Sequence, residues 1–446
     1  MRVHRLLPLT ALTVAMAGLV NVTYGADLLS LYREAAAQDP AMAAARASLS
    51  AARERVAQAE GSNGFATGVA AGANANYFDL HVRNLPQAQT DRAYLAANVQ
   101  AFVNKPLYRP ANDAAIEQAN VAVKLSELSL KAAEMDVANR LAQAYFDVLL
   151  AQDNVRLVEA QKAALSEQLA QAKRNFEVGT ATIVDTNEAQ SRYDQVLAQE
   201  ISARNEVDRT RWALRNVVGR FETNLKTLRG NAQVSLPTPA SMEAWVSRAE
   251  REAYPVQIAQ QTLAVSEYDV KRAEAAKSWT LDATANVSHT QSSGSSTSGL
   301  GTWTYAGLVG VTFNLPFDTT GGLSARIRET LALVDKNRND LETARRTAGL
   351  SVRQAYLGVT SGVAGVAAQQ QALKSAETQL ASTKLGLEVG VRTNLDVLNA
   401  QQQVTQVQRD LAQARYNTLL NDLRLKAATG VLGENDLRAT NAYLTD

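Results

Sequence analysis

Charged residues beside two short Glu-Val-Gly motifs are the residues of this chain best placed for a chemical role. Asp185 follows the first motif, and Arg392 and Asp396 follow the second. If a helix begins at each place, both aspartates lie in its first turn, where the positive end of the helix dipole favours an acid. The same dipole disfavours Arg392. A helix-start role therefore explains the two acids but not Arg392.

No set of residues typical of an enzyme accompanies these charges. The chain has no cysteine, and its histidines, at positions 4, 81 and 289, are far apart in the sequence, so we expect no metal site and no cofactor. Ser288 and His289, with Asp282 nearby, could be imagined as a nucleophile pair, but adjacent strand residues point to opposite faces. We therefore expect no enzymatic activity.

An internal repeat shows which elements position the charged residues. Gln143-Ala144-Tyr145 recurs as Gln354-Ala355-Tyr356, and Glu177-Val178-Gly179 recurs as Glu388-Val389-Gly390. In both copies the glycine separates two long runs rich in Ala, Gln, Leu and Glu, which favour helix. A glycine just beyond a helix end is a stop signal. Each half of the chain is therefore predicted to form a long helix, a tight turn and a returning helix.

The N-terminus has the features of a secretory signal. Arg2 and Arg5 precede a mostly apolar stretch, Leu6 to Val20, that is too short for a comfortable membrane span. We expect cleavage after Gly25 and export of the mature chain. No later apolar run reaches the roughly 18 residues that a membrane helix needs. With 45 basic and 44 acidic residues, the chain has no charge excess that would attract nucleic acid.

Two segments alternate between apolar and polar residues, which predicts strands with one apolar face. The first runs from Leu95 to Val103, and the second contains Trp279 to Val287 and Trp303 to Phe313, with a Ser/Gly/Thr loop between its two strands. A half-buried sheet of a soluble domain would show the same pattern. The export signal, the lack of an element to cover the polar faces and the loop composition favour a membrane β-barrel.

The chain divides into segments on these grounds. The predicted order is a signal peptide, 1–25; an N-terminal helix interrupted near Pro40, 26–60; a first β-hairpin, 61–106; a first helical hairpin, 107–218; a linker, 219–242; a helix, 243–278; a second β-hairpin, 279–316; a second helical hairpin, 317–429; and a C-terminal tail, 430–446.

Four strands cannot close a membrane barrel, because the smallest closed barrels have about eight. An open sheet edge in lipid leaves backbone groups unpaired, at several kcal/mol each. We therefore predict a trimer in which four strands per chain contribute to a twelve-stranded barrel. The predicted fold is mainly α with a membrane β part, and the duplicated helical hairpins of three chains form an α-barrel tunnel about 100 Å long.

The residues around both turns resemble those of a known family. Residues 392–400, Arg-Thr-Asn-Leu-Asp-Val-Leu-Asn-Ala, are similar to the turn motif of TolC-type outer-membrane channel proteins, as are residues 175–185 and 414–430. The similarity covers nearly the whole mature chain. It implies a trimeric outer-membrane channel that serves as the exit duct of a tripartite efflux pump or a type I protein secretion system, with its helical tunnel in the periplasm.

The resemblance also implies partners. They are a periplasmic adaptor (membrane fusion protein) and an inner-membrane transporter, ABC-type or proton-driven, while outer-membrane lipid surrounds the strands. Residues 219–242 and 430–446 would form the equatorial domain, a belt around the tunnel.

A periplasmic gate is the last implication of the resemblance. In the family, charge pairs between neighbouring helical hairpins close the periplasmic end of the tunnel. By position, Arg392 would be the cation, Asp185 its partner, and Asp396 one member of a ring of three carboxylates at the narrowest point. The chain departs from the family pattern at Asn399, which replaces a second Asp, and at Leu387, which replaces an aromatic residue. Both departures predict a weaker closure.

The alternative to a duct is a soluble periplasmic coiled-coil protein, either an adaptor or a structural protein. An adaptor usually has one helical hairpin with a lipoyl-like domain and a β-barrel module, and none of these is evident in the sequence. A structural coiled coil has sustained heptads and no strand hairpins between its helix pairs. The two predicted strand hairpins therefore separate the duct from a structural coiled coil.

Overall fold

The computed structural model describes residues 25–80, 90–222, 224–230, 234–295 and 298–445. The predicted signal peptide, apart from Gly25, and His81 lie outside the described residues. In chain order the elements are α1 (Leu28–Gln38), α2 (Pro40–Gly61), β1 (Ala66–Leu80), β2 (Thr90–Tyr108), α3 (Pro110–Glu177), α4 (Ile183–Val218), α5 (Met242–Glu252), α6 (Tyr254–Ala275), β3 (Thr280–Ser292), β4 (Thr302–Asn314), α7 (Gly322–Glu388), α8 (Asn394–Ala428) and α9 (Glu434–Asn441).

Two long antiparallel helix pairs dominate the fold, which confirms the predicted duplication. Helices α3 and α7 have 68 and 67 residues, so each is about 100 Å long. Helices α4 and α8 return along about half of that length. Pro110 occupies the first turn of α3, where its missing N–H costs no helical hydrogen bond. Gly219 ends α4 in the left-handed conformation.

The segment predicted as a single helix over 243–278 is two helices, and that prediction was wrong in this respect. Ala253 is extended, with φ −60° and ψ 132°, and separates α5 from α6. Pro255 explains the break, because a proline is tolerated in the first turn of a helix but not in its interior. The N-terminal region has the same break at Asp39, as expected from Pro40.

The four strands form one antiparallel sheet in the order β1-β2-β3-β4. Strand β2 continues to Tyr108, past Pro106 where the first β-hairpin was predicted to end. A register shift between Pro106 and Tyr108 lets the strand continue, because the proline has no N–H for a regular ladder. Below this bulge Arg109 donates two hydrogen bonds to the Asp282 carboxylate, at 2.9 and 2.7 Å.

One face of the sheet is apolar and exposed, as the alternating pattern predicts. It carries aromatic and branched side chains on each strand, and Val309 is 89% exposed. The outward-facing set includes Val69, Tyr77, Leu95, Val99, Val287, Trp303, Tyr305, Val309, Val311 and Phe313. Such a surface is far larger than an isolated soluble sheet leaves uncovered.

The main hydrophobic core lies where the chain termini and the linker after α4 meet the long helices. Tyr145, Phe146 and Leu423 are among its fully buried side chains. Short bridges connect Ala26 with Leu225 and Leu228 with Leu444. These bridges hold segments that are far apart in the sequence against α3 and α8.

Within the described part of the chain, no helix is both long enough and apolar enough to cross a membrane.

The tyrosines of the repeated Gln-Ala-Tyr motif fasten this region. Tyr145 is fully buried, and its hydroxyl donates to the Lys226 carbonyl at 2.7 Å and lies 3.2 Å from the Ala26 carbonyl. Burial raises its pKa, so it remains a neutral donor. Tyr356, its counterpart in the second repeat, donates to the Ala240 carbonyl at 2.7 Å. The repeat therefore preserves one function, which is to hold the linker against a long helix.

Replacing the buried hydroxyl should destabilise the protein more than replacing its half-exposed counterpart. Tyr145→Phe leaves the Lys226 carbonyl without its hydroxyl donor, whereas the Ala26 carbonyl still accepts from the Lys226 N–H, and we expect a loss of about 1–2 kcal/mol. Tyr356→Phe is the matched control, because water can reach the Ala240 carbonyl. Thermal melting followed by circular dichroism would measure both. An equal or larger loss in Tyr356→Phe would contradict this account.

Candidate functional site

The two turns that end the long helices have the same backbone structure. After α3, the N–H groups of Thr180 and Ala181 both donate to the Asn175 carbonyl, and after α7 those of Val391 and Arg392 both donate to the Gly386 carbonyl. Gly179 and Gly390 have φ of 78° and 79°. A Cβ at either glycine would meet nothing within 4 Å, so backbone conformation and not space requires glycine there.

Asp185 and Asp396 cap the returning helices. The Oδ2 atom of Asp185 accepts from the backbone N–H and hydroxyl of Thr182, at 2.9 and 2.7 Å. The Oδ2 atom of Asp396 accepts from the same groups of Thr393, both at 2.9 Å. Each threonine in turn accepts from the backbone N–H of its aspartate, which completes a capping box. A helix-start role therefore accounts for an acid at both positions.

These hydrogen bonds also keep the carboxylates charged. The pKa of Asp185 is lowered mainly by the Thr182 hydroxyl and N–H. The pKa of Asp396 is lowered by the Thr393 N–H, then by its hydroxyl, and further by the positive charge of Arg392. Because a lowered pKa favours the ionised form, both groups are negative at neutral pH.

Arg392 lies on the α7–α8 hairpin, beside Asp396 and Asn399. Together with Gln379, Ser382 and Gln403 they line one open polar groove. Among the described residues of the single chain, no ion pair joins Arg392 to Asp185. The structure thus brings three of the predicted gate residues together and leaves Asp185 on the other hairpin.

Gly386 makes room for the arginine. It is buried, and a Cβ there would lie 2.7 Å from Cγ and 3.3 Å from Cβ of Arg392. The corresponding positions of the first turn hold Asn175 and Ala181, a larger residue beneath a smaller one. The two turns share a backbone conformation, but the order of the small and the large residue is reversed. Only the second turn therefore presents a long cationic side chain.

Arg192 is a functional candidate that the sequence analysis missed. It lies on α4, and its Nη1 donates to Gln402 Oε1 at 3.2 Å while its Nη2 donates to Asn399 Oδ1 at 3.3 Å. The side chain connects the two hairpins close to the turns. It follows Asp185 by about two helical turns, so a search of the same helix face could have identified it.

Apolar packing supports this connection. Leu398 of the second hairpin is buried together with Val158, Leu165 and Val196 of the first. The two hairpins are therefore in contact within one chain, and the hydrogen bonds of Arg192 to Gln402 and Asn399 accompany that contact.

Chemistry of other kinds has less support. No group of three or more His, Cys, Asp or Glu side chains close enough to hold a metal ion occurs in the described ranges. His289 stacks on Tyr305, with ring centroids 4.4 Å apart, on the outer face of the sheet. Ser288 belongs to the opposite face, so the two residues do not form a nucleophile pair.

Comparison with known proteins is consistent across sequence and structure. The family model for outer membrane efflux proteins matches residues 31–220 and 245–431. The outer membrane protein TolC of Vibrio cholerae serotype O1 is 29% identical over 99% of this chain and 98% of its own length. The alkaline protease secretion protein AprF of Pseudomonas aeruginosa is 31% identical over 71% of this chain and 66% of its own.

A solved structure shows the same fold. The outer membrane protein VceC from Vibrio cholerae superposes with a TM-score of 0.76 over 90% of this chain and 96% of its own, at 19% identity. Duplicated hairpins, a four-stranded sheet and two family-model matches that span both repeats agree with one another. The chain belongs to the outer membrane efflux protein family.

Proposed function

We propose that this protein is one protomer of a trimeric outer-membrane exit duct for efflux or type I secretion. The observation that carries the proposal is the combination of one open-edged sheet with an exposed apolar face and two helix pairs about 100 Å long. The sheet would enter the outer membrane with its apolar face toward lipid. The helices would then extend into the periplasm as a tunnel wall.

The segments assigned from the sequence fit this arrangement. Residues 219–242 and 430–446 are fastened to each other partway along the long helices, where the Arg229 N–H donates to the Tyr443 carbonyl at 2.9 Å. We propose that they form an equatorial belt, joined by α1 and α5. The belt would brace each protomer between membrane and turns.

The alternatives are less well supported. An adaptor or a structural coiled coil has no use for four strands with a continuous exposed apolar face. Family membership points to transport, and we propose that the chain has no enzymatic activity. Energy for transport would come from elsewhere in the assembly.

Partners follow from the same proposal. A duct that ends in the periplasm needs a transporter in the inner membrane, either ABC-type or proton-driven, and an adaptor that joins the two. One relative is named for alkaline protease secretion and the family model for efflux, which supports a common duct design for different cargoes. We propose that the transporter and not the duct selects the cargo.

The gate is proposed at the turns. Asp396 would contribute to a ring of three carboxylates, and Arg392 would pair with Asp185 of a neighbouring hairpin. Arg192 adds a contact within each chain, because it holds Asn399 at the position where a second acidic ring would otherwise stand. Each partly exposed pair is worth only ~0–1 kcal/mol. Three such ion pairs, one per protomer, are enough to hold the channel closed if the closed state needs to be only marginally favoured over the open state.

The proposed assembly can be tested on the purified protein. In detergent we expect a trimer by light scattering, with a gel mobility that changes on heating because the barrel unfolds. In planar bilayers the trimer should form channels. A water-soluble monomer that retains its helices and strands would contradict the proposal.

The carboxylate ring should make the channel cation-selective. Asp396→Asn should reduce cation preference and block by multivalent cations applied from the periplasmic side, whereas Asp185→Asn should leave both closer to the parent. Because the Asp396 pKa is lowered, the preference should persist at neutral pH and disappear only in acid.

The threonine cap gives a matched pH test. Thr393→Val removes a hydroxyl that lowers the Asp396 pKa, so the pH at which cation preference is half lost should rise. Thr182→Val alters the equivalent cap of Asp185 and should leave that midpoint unchanged. Identical midpoints in Thr393→Val and the parent would place the selective ring elsewhere.

Closure should depend on Arg392. Arg392→Ser should raise single-channel conductance and sensitise cells to large antibiotics without loss of trimer, since the cation of the proposed pair is gone. Gly386→Ala should act in the same direction but less strongly, because it displaces the arginine stem. Arg192→Ser tests the contact within one chain. Parental conductance in Arg392→Ser and Asp185→Ala would exclude this pair as the closing contact.

A further inference from the structure

The outer strands of the sheet, β1 and β4, each have one edge without a strand partner in the described chain. Exposed backbone N–H and C=O groups on such an edge require a partner in lipid. If the protein is the trimeric duct proposed above, that partner is a second copy of this chain. The question is then which residues of β4 lie opposite which residues of β1.

The internal repeat supplies the answer. In the first hairpin Ala66 of β1 pairs with Asn104 of β2, and in the second Thr280 of β3 pairs with Asn314 of β4. Asn104 and Asn314 each stand two residues before a proline, so these two pairs align β1 with β3 and β2 with β4. The seam between repeats inside the chain, β2 with β3, therefore corresponds to the seam between protomers, β4 with β1.

We infer that β4 pairs with β1 of the neighbouring protomer in the register of the β2–β3 seam. Within the chain Asn98 pairs with Thr290, and Gln100 pairs with Ser288. The corresponding residues are Leu308 and Gly310 on β4, and Asn76 and Asn74 on β1. Leu308 therefore lies opposite Asn76 of the neighbour, and Gly310 opposite its Asn74.

Two further observations agree with this register. A shift by one residue would turn the apolar face inward, and the inferred register keeps it outward on both strands. Side-chain sizes are also complementary across the seam, with a large residue opposite a small one at four consecutive outward pairs. These pairs are Phe313 with Ala71, Val311 with Ala73, Val309 with Ala75 and Gly307 with Tyr77.

A shift by two residues would preserve the outward face but lose this complementarity. In one direction Val309 would face Tyr77, so a large residue would lie opposite another large residue. In the other direction Phe313 would face Val69, and Gly307 would face Ala75 with no large side chain to cover it. The size pattern therefore agrees with the register that the internal repeat gives.

Disulfide cross-linking can test the register directly, because the chain contains no cysteine. Two double variants match it: Gly310→Cys with Asn74→Cys, and Leu308→Cys with Asn76→Cys. The same four substitutions, exchanged, give two mismatched variants: Gly310→Cys with Asn76→Cys, and Leu308→Cys with Asn74→Cys. A Cβ at Gly310 meets nothing closer than 3.9 Å, so the cysteine fits.

The matched variants should give several-fold more covalent dimer and trimer after mild oxidation than the mismatched ones, because directly opposite Cβ atoms are much closer than diagonal ones. The products should survive boiling and disappear with reductant. Single-cysteine variants report whether each substitution permits assembly.

Failure of this inference is distinct from failure of the proposed function. A trimer by light scattering that cross-links better in the mismatched variants, or in none of the four, would overturn the register and leave the duct intact. A parent protein that forms no trimer would overturn the duct proposal itself, and the seam with it.

Discussion

Backbone hydrogen bonding at the sheet edges is the constraint on which the rest of this structure depends. A four-stranded sheet with an apolar outer face can lie in a membrane only if both edges are paired. One chain cannot provide this closure, because four strands are too few for a barrel. Assembly is thus imposed by the strands, and the long helices, which follow directly from β2 and β4, must form a ring beneath them.

Duplication gives each chain two similar helical hairpins, and the two copies differ in only a few places. Tyr145 and Tyr356 perform the same task in both repeats. The turns share their glycine conformation and their threonine–aspartate caps. The copies differ at the turns where the gate is proposed, since only the second turn combines a buried glycine with an arginine above it. A symmetric scaffold therefore carries an asymmetric set of charges.

The sequence predicted what depends on local patterns and missed what depends on distant contacts. Helix runs, turn glycines and strand alternation are local, and they located the long hairpins and the sheet. The break at Ala253 is the exception, because Pro255 marks it locally, whereas the extension of β2 through Pro106 depends on how β2 pairs with β3. Arg192 and Asn399 meet although about half the chain separates them, so no local pattern joins them. The pairing of Arg392 with Asp185 stays a prediction, because it concerns neighbouring hairpins in the assembly.

The ion pair at the base of the sheet has a mechanical consequence. Arg109 and Asp282 fasten β2 and its helix to β3 inside each chain, and Tyr108 stacks on Trp279 beside them. The segment before α7 that corresponds to Arg109 is Thr319-Thr320-Gly321, and Gly68 stands at the place of Asp282, so this ion pair has no counterpart at the seam between protomers. In the proposed trimer, a twisting load would therefore deform the three seams between protomers more readily than the protomers themselves. Each protomer would rotate as a rigid unit relative to its neighbours before its own structure was distorted.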